Sequence, residues 1–497
     1  MTNNSKLSFS SAIFLFGAGC GLILMLLRAL QVISFSEAHH VVTSGFEEES
    51  LYAMWKYLHG LPIYSDPHQI PFSASYFNWL FYGLYGSLIN FFMNTFGLSE
   101  VWIPTVGRTI TLVVVSIGFA INYRLFTSTK INSTPLPSLI VLALSAFLWF
   151  SPLIGFWAMT VRPDVIALLF DLTAAYFFLM YPRNTLKGVI IASIFCYLSW
   201  ACKQVNIVMP CAIGLLLLCE RRWRSFIVFS VLMGTGYGAT LLLANYNLLK
   251  TLFFINTAIP FSIDVFLSNL TNFVKKSLPA LILFMIIFAK ALSNPHERKK
   301  LLQDEMVKLS LCGLLAWSVI LLPFSSKVGS ADNYHFIALL FLILAIGGAL
   351  KQYLFEDKVI QASLGLAGIT FVAAVAYCFS QGTLSGIQKQ HQENLALKQC
   401  LENLEQPIFI LNHYGALPWM NPSPLSFVLA YNYWSDRNSN RPFEHNGIGG
   451  LIGQGYFKTL VIPKQFTANF DGAALNNYHL QDQACTNFAV MIKKEDA

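Results

Sequence analysis

The stretch SGFEEESLYAMWKYLHGLPIYSD, residues 44–66, sets three consecutive glutamates, Glu47, Glu48 and Glu49, ahead of Leu51, Met54, Trp55 and Leu58. Spacing of i, i+3, i+4 and i+7 puts those apolar residues on one stripe and predicts an amphipathic helix over 47–59, lying at a bilayer surface. Ser44 followed three residues later by Glu47 fits a capping box, which uses only one carboxylate. Acidic residues in a first turn also favour the helix dipole. Capping therefore accounts for one glutamate and leaves two to explain in a chain that is otherwise poor in charge.

Of the 497 residues, 55% are hydrophobic and 11% charged, with a mean hydropathy of +0.56. A crossing helix needs about 20 mainly apolar residues. Apolar runs at 11–34, 104–126, 138–156, 164–181, 188–203, 205–219, 225–245, 277–293, 307–323, 335–350 and 358–379 predict an all-α polytopic membrane protein with about eleven crossings, or about twelve if 77–97 also crosses. Residues 11–34 are read as a span and not a signal peptide, because the run is long, contains Arg28 and is followed by no A-x-A cleavage pattern.

The net charge of +7 resides in short blocks between apolar runs, which argues for topology signals and against a nucleic-acid surface. The blocks RLFTSTK (124–130), PRNTLK (182–187), ERRWR (220–224) and HERKK (296–300) fall on the cytoplasmic side under the positive-inside rule. The other side receives 36–76, 157–163, a break around Lys203, 246–276, 324–334 and everything after 380. This parity fails if 77–97 crosses. That segment contains Asn78, Asn90 and Asn94, which suits a juxtamembrane or re-entrant helix; the other reading is that it crosses and RLFTSTK is an exception.

Ionisable groups near span ends are costly unless paired or used, and here they gather on the outer side. The first loop supplies the three glutamates and Asp66, TVRPD supplies Arg162 and Asp164, ACKQVN supplies Lys203, Gln204 and Asn206, and SKVGSADNYH supplies Lys327, Asp332, Asn333 and Tyr334. Plain structural roles exist for each: an ion pair or cap at Arg162 and Asp164, snorkelling at Lys203, an ordinary loop lysine at Lys327. Lys203 sits between two short runs, which favours a broken helix lining a cavity, and Lys327 beside Gly and Ser suits a phosphate. No Walker loop, GxGxxG, HExxH or CxxC is present, and His39-His40 has poor metal-ligand spacing.

Taken in order, EESLYA, the turn GLPIY (60–64) with Tyr64, YFNWLFY, Gly107-Arg108, RPD, the Lys203-Gln204 break and KVGSADNY resemble the membrane-embedded GT-C glycosyltransferases, the superfamily of lipid A aminoarabinose transferases and protein O-mannosyltransferases, over roughly 36–350. The resemblance implies an inverting transferase acting on a sugar linked to polyprenyl phosphate, with an extracytoplasmic acceptor, in a bacterial inner membrane. It implies catalysis by an acidic pair, here Glu48-Glu49, with Glu47 also eligible because three glutamates leave the register open. Arg162, Lys203 and Lys327 would hold the donor phosphate, and Tyr64, Asp164, Gln204, Asn333 and Tyr334 would contact substrate. A divalent metal, if used, would fall to Glu48 and Asp164. Two departures stand out: the pair is Glu-Glu where Asp-Glu is usual, and Gln69-Ile70 precedes Pro71 where some members have Glu-Lys.

Residues 381–497 turn polar. Helical pattern at 388–405 and short apolar runs at IFIL (408–411) and TLVIP (459–463) predict a small extracytoplasmic α/β domain, one that would cap the site or bind acceptor. Cys400 and Cys485 are the cysteines clearly outside the spans, and in an oxidising compartment they are the candidate disulfide pair. FEHNGIGGLIGQG (443–455) is glycine-rich but is not placed on a strand-to-helix turn. Two other functions share some features: a transporter, for which an internal repeat is missing, and a polymerase or ligase of lipid-linked oligosaccharide, for which the 246–276 loop lacks arginine.

Overall fold

The computed structural model describes residues 8–33, 37–40, 42–43, 46–128, 136–255, 259–353, 357–380, 383–412, 414–429, 431–481, 485 and 487–494. Ser44, the predicted cap, lies outside them, as do residues 129–130 of the first basic block. Every apolar run becomes a helix. In order these are α1 (Phe9–Ile33), α2 (Glu47–Leu58), α3 (Trp79–Phe96), α4 (Ile103–Thr127), α5 (Ser138–Trp149), α6 (Pro163–Met180), α7 (Lys187–Cys202), α8 (Val208–Cys219), α9 (Trp223–Leu243), α10 (Tyr246–Lys250), α11 (Ile263–Ser293), α12 (Pro295–Leu301), α13 (Glu305–Phe324), α14 (Phe336–Tyr353) and α15 (Lys358–Ser380). Among the described residues eight helices are long and apolar enough to cross a membrane, and α5, α7 and α8 are shorter apolar helices.

Three boundaries differ from expectation. The run 138–156 is helical only to Trp149 and then turns through a 3₁₀ segment, Gly155–Met159. Helix α11 starts at Ile263, well before the expected 277, because Leu270 and Phe273 continue its buried stripe and Asn269 donates to Ser325 O at 2.8 Å. Helix α2 is not laid on a surface: Glu47 through Met54 are all buried, since α3 and α4 pack over it.

The bundle has two chemically distinct ends. At one, Glu220 accepts Lys308 Nζ at 2.6 Å and Arg183 Nη2 at 3.3 Å, bringing the blocks 182–187 and 220–224 together with the start of α13. At the other lie Arg162 at the start of α6 and Lys203 at the end of α7. Helix α3 begins and ends at this second end. Asn78 at its head donates to Trp200 O at 3.1 Å, and the turn beyond its tail delivers Glu100 to Trp55 Nε1 at 2.8 Å and the chain into α4, whose Arg108 reaches the first residue of α2. It is not among the helices apolar enough to cross.

Helix α1 packs along α15 through small residues. A Cβ on Gly17 would stand 2.8 Å from Gly368 O, and one on Gly368 would stand 2.6 Å from Ile13 O, so the two backbones touch. In lipid, close backbone approach of this kind replaces the hydrophobic effect as the source of helix association.

Beyond α15, α16 (Thr383–Leu401) leads to a sheet in the order β1 (Ile408–Ile410), β2 (Thr459–Pro463), β6 (Phe488–Lys493), β5 (Tyr478–Leu480), with β1 and β2 parallel and the other pairs antiparallel. A separate hairpin pairs β3 (Asn469–Phe470) with β4 (Ala473–Ala474). Helices α17 (Tyr431–Asn438) and α18 (Gly447–Gly453) form the β1-to-β2 crossover. The sheet is covered on both faces: Phe409, Leu460 and Met491 face Tyr433 and Ile452, while Ile408, Val461 and Val490 face Leu397 and Leu401. Strands buried on both sides read as unbroken apolar runs, as IFIL and TLVIP do. Cys400 and Cys485 are joined by a disulfide.

Replacing Gly368 by Leu is expected to push α1 off α15 and cost about 1–3 kcal/mol of stability, read as a lower Tm of the purified protein in detergent; an unchanged Tm would refute the close packing.

Candidate functional site

The site is built where α2 meets the starts of α4 and α6. Glu47, the first residue of α2, receives Arg108 Nε on one oxygen at 2.9 Å and Arg108 Nη2 on the other at 3.1 Å. The same carboxylate accepts the Val42 and Val161 backbone N–H groups at 2.7 and 3.3 Å. Arg108 also donates to His40 O at 2.7 Å. Glu47 and Arg108 are both fully buried, so this is a saturated internal ion pair, and it uses α2's first carboxylate as a tether. Phe46, which precedes α2, makes no side-chain cap.

One helical step round, Glu48 faces Arg162. Burial raises its pKa to about 8, with the Glu47 charge adding to the rise and the helix N–H and Arg162 opposing it. A further step round, Glu49 is enclosed near Lys56. Burial and the Glu48 charge raise Glu49 well above the carboxylate range, and burial lowers Lys56 to about 8 against the pull of Glu49.

Asp164, in the first turn of α6, is the hub of the polar residues around the cavity. Its Oδ1 accepts Lys203 Nζ at 2.5 Å and Asn333 Nδ2 at 2.7 Å, and its Oδ2 lies 3.3 Å from Arg162 Nε. Arg162 also stacks on Trp157 at 4.1 Å, and Lys203 lies over the Tyr334 ring at 5.1 Å. Gln204 donates to Tyr76 O at 2.8 Å. Arg162, Lys203, Gln204, Lys327, Asn333 and Tyr334 line one cavity of ≈ 60 Å³ together with Phe46. Lys327 stands over Phe324 at 5.1 Å, and burial lowers its pKa.

The structure thus gathers the predicted Arg162, Asp164, Lys203, Gln204, Lys327, Asn333 and Tyr334; Glu48 is buried off the lining, within reach of the Arg162 charge. It does not bring Glu47, Glu49 or Tyr64 to the cavity: Tyr64 donates to Phe77 O at 2.8 Å and packs edge-on to Tyr82. The set does not suit a divalent cation. Asp164 is already engaged by a guanidinium and an ammonium, and among the described residues no three His, Cys, Asp or Glu side chains converge. Asp171, and the pairing of Arg108 with Glu47, had not been foreseen. Asp171 lies two turns below Asp164 and, with Lys203 and Asn206, bounds a chamber of ≈ 20 Å³, room for about one water. Arg108 and His40 complete the tether. The isolated cation of Arg108 inside an apolar run was the available signal.

No family model and no curated protein matches this chain. Solved structures do resemble it. ArnT from Cupriavidus metallidurans in the apo state superposes with a TM-score of 0.58 at 11% identity, over 95% of this chain and 96% of ArnT. The fold is GT-C-like. The Archaeoglobus fulgidus oligosaccharyltransferase in its apo form gives 0.50 at 12% identity, over 93% of this chain and 70% of that one. The same organism's AglB, in complex with an inhibitory peptide and a dolichol-phosphate, gives 0.50 at 11% identity, over 97% and 75%. ArnT and AglB are GT-C glycosyltransferases, and the likeness runs through both the bundle and the C-terminal region.

Glu47→Gln is expected to cost about 3–5 kcal/mol, because it strands the Arg108 charge in the interior, whereas Glu47→Leu combined with Arg108→Met recovers most of the loss. Thermal unfolding of the single and double variants measures this, and additive losses would refute the tether. Glu48 adds a pH signature. Its folded pKa of about 8 exceeds the ordinary carboxyl value of 4.5, so between those values the folded state holds a proton that the unfolded chain has lost, and stability falls as pH rises through that window. Glu48→Gln is expected to flatten that part of the slope in Tm against pH.

Proposed function

We propose that the protein is an inverting glycosyltransferase that moves a sugar from a polyprenyl-phosphate donor to an acceptor hydroxyl on the extracytoplasmic side of a bacterial inner membrane. The observation that supports this reading best is the convergence of Arg162, Lys203 and Lys327, from three separate segments, on one cavity beside the enclosed carboxyl of Glu48. Three cations at one cavity suit a phosphate, and a raised carboxyl pKa suits a proton acceptor. The dolichol-phosphate bound to AglB, a protein of similar fold, supports a lipid-linked donor.

In this reading the acceptor oxygen attacks the anomeric carbon as the bond from that carbon to the phosphate oxygen breaks. Glu48 takes the hydroxyl proton, and the departing polyprenyl phosphate keeps the bonding electron pair. Lys203, Lys327 and Arg162 stabilise the charge that develops on the phosphate. One displacement inverts the anomeric centre. Arg162 interacts with the charge of Glu48 and lines the cavity, so a phosphate that draws Arg162 toward itself withdraws the cation that competes for the carboxylate. Asp164 positions Lys203 and Asn333. Residues 381–497 form the extracytoplasmic α/β domain of this scheme, and Glu49, Glu47 and Tyr64 support the helix that presents Glu48.

Glu48→Gln is expected to lower transfer by about a hundredfold or more in purified protein supplied with radiolabelled polyprenyl-phosphate sugars and cell-envelope extract. Because the deprotonated carboxyl is the active form, kcat/KM of the wild type should rise with pH and level off above about 8. Full transfer by Glu48→Gln, or a rate that falls over the same range, would remove Glu48 from this role.

A further inference from the structure

Arg28 is a buried arginine that no carboxylate faces among the described residues. It sits near the end of α1 at 5% exposure. Arg108, Arg162, Lys203 and Lys351 each face a carboxylate. Among the described residues none pairs with Arg28; its Nε has no hydrogen-bond partner, and its guanidinium lies 4.3 Å over the Phe156 ring with Cys378 beside it. Gly155, at φ +47, lets the loop close round it, since a Cβ there would stand 3.2 Å from Arg28 Nη1.

The guanidinium borders a cavity of ≈ 880 Å³, separate from the one lined by Lys203 and Lys327. Trp157 and Phe156 form part of its wall, Trp434 of the C-terminal region also lines it, and Tyr377, 54% exposed on α15, stands at its rim. The other cations on its lining, Lys276 and Arg162, face Asp332 and Asp164, whereas Arg28 faces no carboxylate among the described residues. Volume in this range holds a sugar-sized group with its substituents. Phe46, Arg162, Gly329 and Ser330 line both cavities, so the two share a wall at Arg162.

We propose that this second cavity is the acceptor site and that it takes a membrane amphiphile bearing an anionic phosphate, which Arg28 binds while Trp157 and Trp434 flank the group next to it. Calling the ligand an acceptor rests on the transferase reading; anion binding at Arg28 does not. The test uses the full-length protein purified in detergent, with thermal unfolding read against short-chain phosphatidylglycerol, phosphatidylcholine of the same chains, and inorganic phosphate. Phosphatidylglycerol is expected to raise Tm, and Arg28→Gln to weaken that response by about tenfold, the worth of one charge-assisted hydrogen bond. Cys378→Asp guards against a variant that does not fold: a carboxylate beside Arg28 supplies the missing counter-charge, so ligand-free Tm should rise and the phosphatidylglycerol response should vanish.

An equal response to phosphatidylcholine, or the same response in wild type and Cys378→Asp, overturns the proposal. A full response to inorganic phosphate with nothing added by the lipid overturns its amphiphile part. Glu48→Gln should keep the response while losing transfer, which separates the two readings. An Arg28-dependent response without detectable transfer leaves the anion site standing, whereas transfer by Arg28→Gln with unchanged acceptor KM removes it.

Discussion

The buried pair of Glu47 and Arg108 sets the geometry on which the site depends. Successive residues of a helix point about 100° apart, so three adjacent glutamates cannot share one environment. Once Glu47 is locked to Arg108 and to two backbone N–H groups, the rotation of α2 about its axis is settled. Glu48 must then face Arg162, while Glu49 shares a face with Lys56, two turns along the same helix. Three identical side chains acquire three chemistries from one tether. A buried pair of this kind contributes little net stability against an apolar substitute; what it contributes is direction.

Asp164 does for the cations what Glu47 does for the carboxylates. Alone, Arg162 and Lys203 would repel one another across a small cavity. With Asp164 between them they sit as a preformed cradle of alternating charge, and Asn333 ties that cradle to the loop that brings Lys327. Preorganised charge costs no rearrangement when a phosphate arrives. The same arrangement explains why the donor set is poor for a divalent ion: the carboxylate that would bind metal is already engaged by protein cations.

Much of the bundle was legible because apolar run length and break positions report directly on helices. The break after Cys202 was readable from two runs too short to cross comfortably, and the polar content of 77–97 separated it from the spans. The length of α11 was not readable, since Lys275 and Lys276 look like a loop until Asp332 is seen opposite Lys276. The division of labour among the glutamates was equally hidden. Arg108 is 61 residues from Glu47, and nothing local tells which of three adjacent carboxylates it reaches. Arg28 and Arg108 were visible as lone cations in apolar runs, and the cost of such residues was the signal to follow.

The C-terminal region is structurally part of the site. Phe72, at the end of the first loop, is buried among Phe427, Tyr433 and Phe443, and His68 meets Asp436 at 2.9 Å while Glu444 accepts the Ile70 N–H at 3.0 Å. Nearer the start of the loop, Asn394 donates to His39 O at 2.8 Å. The segment that contains α2 is therefore held at both ends by residues far along the chain. A bilayer-surface helix would have left the three glutamates wet and near their ordinary pKa. Enclosure of α2 under α3 and α4 is what raises Glu48, and the C-terminal region holds the loop from which that helix starts.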